Sequence, residues 1–553
     1  MKNSVIVSRG RRLKSNRSNI ENTWDLIERY FAPYRGNFFK DDQQEGSIEW
    51  RRPYVYDGTG ILSSQTLSSS LHSSLTSSSS QFFAFRFRQD ALNEDNDAKQ
   101  WLEECGRRVY EALQDSNFNV EINETYQDLV NYGTSVICEE VADRNGKEEL
   151  VFSSVPLKEC FFEQDAYGDL LNFYRRMDKS GLELWSMFGD NIPEYIKEAI
   201  NGDGYDDDKK YTIWFCIFRR MDVKYNALSS KPIAELKRQY GYKYVFDNAP
   251  DDKLGDEGGY YEMPAFIPRW RKTSDSVWGN SPAMTALSDN LTLQRLIELS
   301  MAAIEKAIDP PTLTTQRGLV GDLNLNAGGL TTVRDIKELV PFNSNARFDV
   351  QKSEIERLQG NVKDYFFINQ LLLPPMQPSP VTATEISVRV QQLERIFGPT
   401  LSRIQTDLLD PALTRTFRIL FRAKRLPKMP ESVAKLKGDI DIEYVGSLAK
   451  SQEATNLAGL ERWVAFIANG STVNPDLLDI PDWDALGKGS ASMLGVPAKY
   501  VNSDSEIKTE RDARKKQEQA MKAAMMAEQA GKANKAIGEG DAALAANQAG
   551  APQ

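Results

Sequence analysis

One stretch, SPAMTALSDNLTLQRLIELSMAAIEKAIDPP, constrains this chain more than any other. Ser281 offers a hydroxyl to an orphan amide, Pro282 tolerates the first helical position, and Pro310 and Pro311 stop whatever lies between. The spacing predicts a single helix over Pro282–Ile308, a rod about 40 Å long. A second rod is expected from Ser353 to Leu373. Ser353 and Glu356 read as its capping box, and Ile355, Leu358, Val362, Tyr365 and Phe366 form a mostly apolar stripe that Pro374 ends. Residues 310–345, rich in glycine and threonine, read as a compact excursion of turns between the two rods. After the second rod, Pro374, Pro375, Met376, Gln377, Pro378, Ser379, Pro380 and Val381 make a stiff turn without Lys or Arg. Thr382 with Glu385 then opens another helix, along which Ile386, Val390, Leu393 and Phe397 recur on one face.

Upstream, Ile20, Trp24, Ile27 and Phe31 predict a helix over residues 19–31. A serine tract follows YDGTG, yet Leu67, Leu71 and Leu75 return every four residues, so a packed helix is expected there instead of a tether. Trp101, Cys105, Val109 and Leu113 mark a further helix. From about residue 135 to 270, short apolar runs (LVFSSV, FYRRMD, YTIWFCIFRRM, YKYVF) between Gly, Asp and Asn turns predict an α+β unit rich in antiparallel strands. Beyond Pro399 and Pro411, Leu401, Ile404 and Leu408, then Leu413, Phe417 and Leu420, predict amphipathic helices. From Ser505 the chain turns to Lys, Glu, Gln, Ala and Met, a composition with high helix propensity but no wide apolar stripe. Such a helix is expected to lean on identical neighbours, and residues 536–553 are expected to be disordered.

The chain's 553 residues suffice for three or four domain-sized units. No apolar run reaches membrane-spanning length, and the basic start MKNSVIVSRGRRLKSNRSN has too short an apolar part for a secretory signal, so neither membrane insertion nor export is expected. Cys105, Cys138, Cys160 and Cys216 lie far apart without a C-x-x-C pair and read as buried thiols in a reducing compartment. His72 is the one histidine, so Ser-His, Cys-His or multi-His zinc chemistry would have to pass through it; it reads as a polar residue on a helix face. The net charge of −11 argues against tight duplex binding. In DWDALGKGS, Asp482 stands where a phosphate loop needs its first glycine and Gly489 where it needs Ser or Thr. The pairs Glu103/Glu104, Glu139/Glu140 and Glu148/Glu149 reflect an acid-rich chain, since adjacency does not make a cleft. No catalytic residue, metal ligand or cofactor is expected.

Six stretches in one order, YDGTG with LTSSSSQFFAFRF, LEECGRRVYEALQDSNFN, NYGTSVICEE, VPLKECFFEQDAYGDL, MPAFIPRWRKTSDSVWGNSPAMTALSDN and LPPMQPSPVTATEISVRVQQLERIFGP, resemble the head-to-tail connecting (portal) proteins of short-tailed, T7-like bacteriophages. The helix after Asp57 is serine-rich where that family is usually alanine-rich. The resemblance implies a predominantly helical α+β portal fold with wing, stem, clip and crown, assembled as a homo-dodecameric ring around a channel for double-stranded DNA. By position it implies an N-terminal and wing region over 1–270, stem helices within 271–309 and 346–373, a clip over 310–345, and a channel loop over 374–381. Wing and crown helices then occupy 382–504, with a crown or barrel helix over 505–535. Thr312, Thr315, Arg317, Asp322, Asn324 and Asn326 would face the tail adaptor or the terminase. Major capsid protein and scaffolding or internal core proteins complete the implied partners at one capsid vertex of the virion, with assembly in the host cytoplasm.

Two other readings compete with this one. A phage-encoded nuclease or glycosidase would need convergent carboxylates or a metal, and a tail adaptor ring would ordinarily be much shorter.

Overall fold

The computed structural model describes residues 1–35, 55–78, 81–89, 92, 95–144, 147–202, 206, 208–220, 233–273, 276–308, 312–313, 340–341, 348–371, 397–436, 440–444, 447–471, 474–494, 496, 500–502 and 504–548. The described elements are mainly helical, with antiparallel sheets concentrated between residues 137 and 280, as the periodicities predict. They fall into two compact units. One comprises 1–84, 105–428 and 442–449, the other 85–104, 429–441 and 450–553.

Strands are numbered in chain order from β1 (Phe83–Phe87). β2 (Ile137–Arg144) pairs with β3 (Lys147–Ser154) on one side, and β4 (Cys160–Gln164), β5 (Leu170–Ser180), β6 (Lys210–Arg219), β7 (Tyr240–Phe246) and β8 (Gly258–Tyr260) form a meander in chain order; β9 (Ala265–Phe266) lies on the other side of β2. Every neighbour is antiparallel, so tight turns suffice to connect β4 to β5 and β2 to β3. β6 is buried continuously from Ile213 to Phe218. With a side-chain period of two, Trp214, Cys216 and Phe218 share one face, and there they meet Ile6 and Val7 of helix α1 (Asn3–Phe31).

That helix starts sixteen residues before the expected Asn19. Its inward positions run Ile6, Gly10, Leu13, Arg17, Ile20, Trp24, Ile27, Phe31, a sustained helical spacing whose first half is hidden in sequence because two members are not apolar. Gly10 is there for room: a Cβ on it would stand 2.8 Å from the Trp214 ring. Arg17 is buried, at 2 % exposure. It donates through Nη1 to the Leu157 and Cys160 carbonyls at 2.8 and 2.7 Å, through Nη2 to the Lys158 carbonyl at 2.6 Å, and through Nε to Glu21 at 2.7 Å, with its guanidinium 4.0 Å from the centre of the Phe161 ring. Arg9 and Arg12 pair with Glu163, and Arg11 grips Asp247 with two nitrogens. Four of the amino terminus's arginines are therefore paired within the first unit.

Helix α2 (Thr59–Leu75) confirms the packed reading of the serine tract. Leu67, Leu71 and Leu75 are buried, and Ser63, Ser64 and Ser68 are buried beside them. Small side chains bring neighbouring helices close, and a Cβ on Gly60 would stand 2.9 Å from the Phe31 ring. The rods run antiparallel: Ser300 of Pro282–Ile308 meets Gln351 of Phe348–Tyr365, while Asp289 near the first rod's start meets Asn361 and Tyr365 near the second rod's end. Leu293, Leu358 and Val362 are fully or almost fully buried in the core.

Three expectations need correction. The second rod begins at Phe348, not at Ser353; Asp349 supplies the acidic first turn, while Ser353 and Glu356 are exposed within the helix and Glu356 pairs with Lys352. Nor does that rod continue to Pro374. It ends at Tyr365, and Phe367 adopts φ 59 before a short turn at Ile368–Leu371. Consecutive side chains on a helix point about 100° apart, and the break lets Phe366 pack on Phe31 while Phe367 turns to Phe397. Third, helix Asp504–Gln548 extends through most of the segment expected to be disordered, because its alanines sustain helix past Gly531, Gly538 and Gly540; residues 549–553 lie outside the described set.

Residues 397–404 are helical and pass through a π turn at Gln405–Leu409 into Asp410–Arg422, so Pro411 is absorbed without ending the rod. Ile404, Leu408, Leu413, Phe417 and Leu420 are buried as the spacing predicts. In the second unit, Phe87 and Trp101 stack with ring centres 6.4 Å apart, and Arg511 holds Asp484 with two nitrogens at 2.6 Å. The segment DWDALGKGS is a helix start, where the Asp482 carboxylate accepts the amides of Asp484 and Ala485, and not a phosphate loop.

Replacing Arg17 with Met is expected to lower stability by about 3–5 kcal/mol, because three carbonyls and Glu21 lose their partner. Arg12→Ala, at an exposed pair, should barely move the urea midpoint. Equilibrium urea unfolding of the two variants beside the parent checks the contrast.

Candidate functional site

Of the residues assigned to the far end of the rods, Thr312 lies in a two-residue strand, Thr312–Leu313, paired antiparallel with Val340–Pro341. The excursion thus leaves and returns along one stalk. Thr315, Arg317, Asp322, Asn324 and Asn326, and all of Pro374, Pro375, Met376, Gln377, Pro378, Ser379, Pro380 and Val381, lie outside the described residues, as does the Thr382/Glu385 capping box. What the structure describes is the pair of rods to which both segments are joined in sequence.

Along their length the YDGTG stretch is fastened to both rods. Gln294 of the first rod, 4 % exposed, accepts the Tyr56 and Asp57 amides at 2.7 and 2.9 Å through Oε1 and donates through Nε2 to the Asp57 carbonyl at 2.8 Å. One primary amide thereby satisfies three groups of a chain segment that no helix or sheet has paired. The Asp57 carboxylate is divided between two tasks. Its Oδ1 accepts the Thr59 amide, the first of α2, at 2.8 Å, while Oδ2 accepts Nε2 of Gln359, on the second rod, at 2.8 Å. Asp289 adds a direct tie between the rods, accepting from Asn361 at 2.9 Å and from the Tyr365 hydroxyl at 3.3 Å.

A second junction joins the rods' root to the sheets. Helix Phe118–Tyr132 ends at Gly133, whose φ of 74 needs glycine, and there NYGTS crosses VWGNSP. A Cβ on Gly133 would stand 2.4 Å from the Gly279 carbonyl oxygen, and one on Gly279 2.1 Å from that of Gly133. The backbones can approach this closely only if both residues lack side chains. Around the crossing, the Gly279 amide donates to Thr134 Oγ1 at 2.9 Å and the Trp270 amide to the Gly133 carbonyl at 2.9 Å. Ser281 accepts the Met284 amide, the cap read from sequence, and donates its proton to the Asn131 carbonyl at 2.7 Å. Trp24 donates to the Tyr132 carbonyl at 3.1 Å and stands edge-on to Trp278 at 5.1 Å.

The third feature is a buried charge network that attaches helix Asp410–Arg422 to the sheets. Arg422 grips Glu262 with both terminal nitrogens at 2.7 and 2.9 Å. Arg415 donates to the Glu262 carbonyl at 2.7 Å and lies 3.5 Å from Glu139, which is 0 % exposed and also accepts the Thr416 hydroxyl at 2.7 Å. Burial pushes the Glu139 carboxyl up to about 7, with Arg415 and Thr416 opposing. Of the adjacent acid pairs, Glu139/Glu140 is therefore split by the strand, and Glu139 serves the interior. His72 is half-buried on α2, where desolvation lowers its imidazole below the ordinary value. All four cysteines are free thiols, and among the described residues no group of three or more His, Cys, Asp or Glu is placed to hold a metal ion.

Sequence reading missed the polar members of these junctions. Gln294, Gln359 and Asp289 carry no local signature, and Glu139 showed only as one of an acid-rich chain's adjacent pairs.

Comparison with known proteins gives one family and two long relatives. The family described as bacteriophage head to tail connecting protein matches residues 4–501. A probable portal protein of Bordetella phage BPP-1 is 24% identical over 532 residues, covering 95% of this chain and 93% of that one. The portal protein of Salmonella phage epsilon15 is 24% identical over 556 residues, covering 98% and 97%. Among solved structures, a chain of the neck of an empty gene transfer agent particle is similar at a TM-score of 0.38 and 9% identity, over 73% of this chain and 86% of that one.

Replacing Gln294 with Leu is expected to cost about 2–4 kcal/mol, since the Tyr56 and Asp57 amides lose their acceptor; thermal and urea unfolding measure it. Glu139 predicts a pH dependence. Its folded value of about 7 lies above the ordinary 4.5, so the folded chain holds a proton that the unfolded chain has released. The stabilisation is complete below about pH 4.5 and is lost as pH rises towards 7. Urea midpoints taken between pH 5 and 7.5 should show this component in the parent and lose it in Glu139→Gln.

Proposed function

Because the chain belongs to the bacteriophage head to tail connecting protein family, we propose that it is a portal: a homo-dodecameric ring at one capsid vertex. Double-stranded DNA enters the capsid through this ring during packaging and leaves through it during ejection. The match of residues 4–501 to that family carries the reading. The antiparallel rods support it, as they form a fixed stem with a hairpin stalk at one end and the root of the proline-rich segment at the other. In this reading Thr312, Thr315, Arg317, Asp322, Asn324 and Asn326 belong to a clip that docks the terminase and then the tail adaptor.

Residues 374–381 act as the channel loop around the duplex. Four prolines and no cation suit a constriction past which DNA slides, because each phosphate neutralised by Lys or Arg would add affinity and slow translocation. The net charge of −11 and the pairing of Arg9, Arg11, Arg12 and Arg17 within the subunit act in the same direction. Major capsid protein and scaffolding or internal core proteins surround the ring, which works as a structural connector and performs no chemistry. It resides in the virion after assembly in the host cytoplasm. No helix among the described residues is long and apolar enough to cross a membrane.

Negative-stain images of the purified chain are expected to show rings with a central opening; a species that stays monomeric at every concentration and salt overturns the reading. Deleting residues 374–381 should leave rings intact and reduce genome packaging or retention, measured as DNA per particle. Unchanged filling would remove the loop assignment.

A further inference from the structure

The arginines of α1 each have a carboxylate, but a second group of cations in the first unit shares a single one. Arg269, 8 % exposed, donates to Asp407 Oδ2 through Nε at 3.3 Å and through Nη2 at 3.2 Å. Its third nitrogen, Nη1, is buried without a hydrogen-bond partner among the described residues. A buried donor left unmade costs free energy, so an orphaned guanidinium nitrogen calls for an acceptor. The glycine crossing sets the place of this side chain. Arg269 bridges to Thr134, and a Cβ on Gly279 would stand 3.2 Å from the Arg269 Cβ. Three residues on, Lys272 lies on β10 (Arg271–Lys272), opposite Gly279 of β11 (Gly279–Asn280). It is half-buried and donates to Gln164 Oε1 at 3.0 Å, a neutral acceptor. Arg403 is half-buried on the helix that leads into the π turn, close enough for its charge to act on Lys272. Burial, and then the charges of Arg269 and Arg403, lower the Lys272 ammonium below its ordinary value, with Asp407 opposing. Among the described residues no carboxylate pairs with Lys272 or Arg403.

We propose that Arg269, Lys272 and Arg403 form a binding site for a phosphate group, where the chain entering β10 meets the π turn at Gln405–Leu409. Charge is the first support. Three cations around the one carboxylate of Asp407 leave a local positive excess in a chain whose net charge is −11. A phosphate monoester carries about −1.5 to −2 charges at neutral pH and offsets that excess, whereas a single carboxylate would leave a cation uncompensated. Donor chemistry is the second support, because two guanidinium groups and an ammonium supply several N–H donors to one tetrahedral anion. Pre-organisation is the third. The glycine crossing places Arg269 and Lys272, and Asp407 orients the Arg269 guanidinium from a π turn, a helix irregularity that recurs at functional sites. The phosphate is that of a nucleic acid or a free ion. Only the first of these sources rests on the portal reading; the site itself does not.

The test uses the purified full-length protein. Isothermal titration calorimetry measures inorganic phosphate binding at constant ionic strength, with chloride as the reference anion, to the parent, Lys272→Gln, Arg403→Gln and Arg271→Gln. Arg271 is the control, an exposed cation on the same short strand whose side chain alternates to the other face. Circular dichroism and negative-stain images record folding and ring formation of each variant. Loss of one charge-assisted contact is expected to weaken phosphate binding about tenfold in Lys272→Gln and Arg403→Gln, and to leave Arg271→Gln at the parental value. A parent that takes up no phosphate overturns the site. An equal loss in Arg271→Gln overturns it too, because general surface charge then accounts for the binding. If Arg403→Gln does not fold, Lys272→Gln decides by the same criterion. A 5′-phosphorylated oligonucleotide and its 5′-hydroxyl counterpart then compete with bound phosphate. Displacement by the phosphorylated strand alone identifies a terminal phosphate, displacement by both identifies the strand's backbone, and displacement by neither identifies a free ion; each supports the site. Rings without phosphate binding overturn the site and leave the portal reading standing, and phosphate binding by a chain that forms no rings does the reverse.

Discussion

Two backbones crossing without side chains between them hold this structure in register. At Gly133 and Gly279 the approach is so close that a methyl group on either would collide with the other's carbonyl. From that point the end of helix Phe118–Tyr132, the entry to β2, Trp270 and the cap of the first rod are all fixed within hydrogen-bonding reach. Trp24 and Trp278 close over the crossing, and they connect it to α1 and, through Phe162, to the meander. Glycine makes this joint by removing volume, without adding an interaction.

The rods depend on a different kind of bond. Their contact with YDGTG is made by neutral amides and one carboxylate at ordinary hydrogen-bond distances, each group used on more than one side. Directional bonds of this kind fix register along a helix, which apolar packing alone tolerates within a turn. The charged groups do other work. Arg9, Arg11, Arg12 and Arg17 fasten α1 to the meander, and Glu139, Glu262, Arg415 and Arg422 fasten helix Asp410–Arg422 to the sheets. Four arginines of the basic start are therefore paired inside the subunit.

Much of the fold was legible because its signals are local. The Ser281–Pro282 start and the Ile308 end of the first rod, the Leu67, Leu71 and Leu75 face of α2, and the alternating runs that became β5, β6 and β7 all lie where spacing placed them. Errors came where a local signal was outvoted. Ser353 and Glu356 have the pattern of a capping box, but Asp349 already provides the acidic turn at an earlier start. The first half of α1 escaped notice because Gly10 and Arg17 occupy inward positions, one chosen for room beside Trp214 and the other for the carbonyls of residues 157–160. Of the candidate site, the sequence marked the Ile308 end of the first rod, where Pro310 and Pro311 stop it. Gln294, Gln359 and Asp289, which tie the rods to YDGTG and to each other, look like any other polar residue on a helix.

The sequence by itself determined the lengths and limits of most helices and strands, the acid balance and the absence of recognisable catalytic spacing, because caps, prolines and periodicity act over a few residues. Only the tertiary structure decided that Gly133 faces Gly279, that Arg17 serves a turn at residues 157–160, and that Phe367 leaves its helix to meet Phe397. Those outcomes depend on which distant segments share a volume, and close packing sets that jointly for all of them.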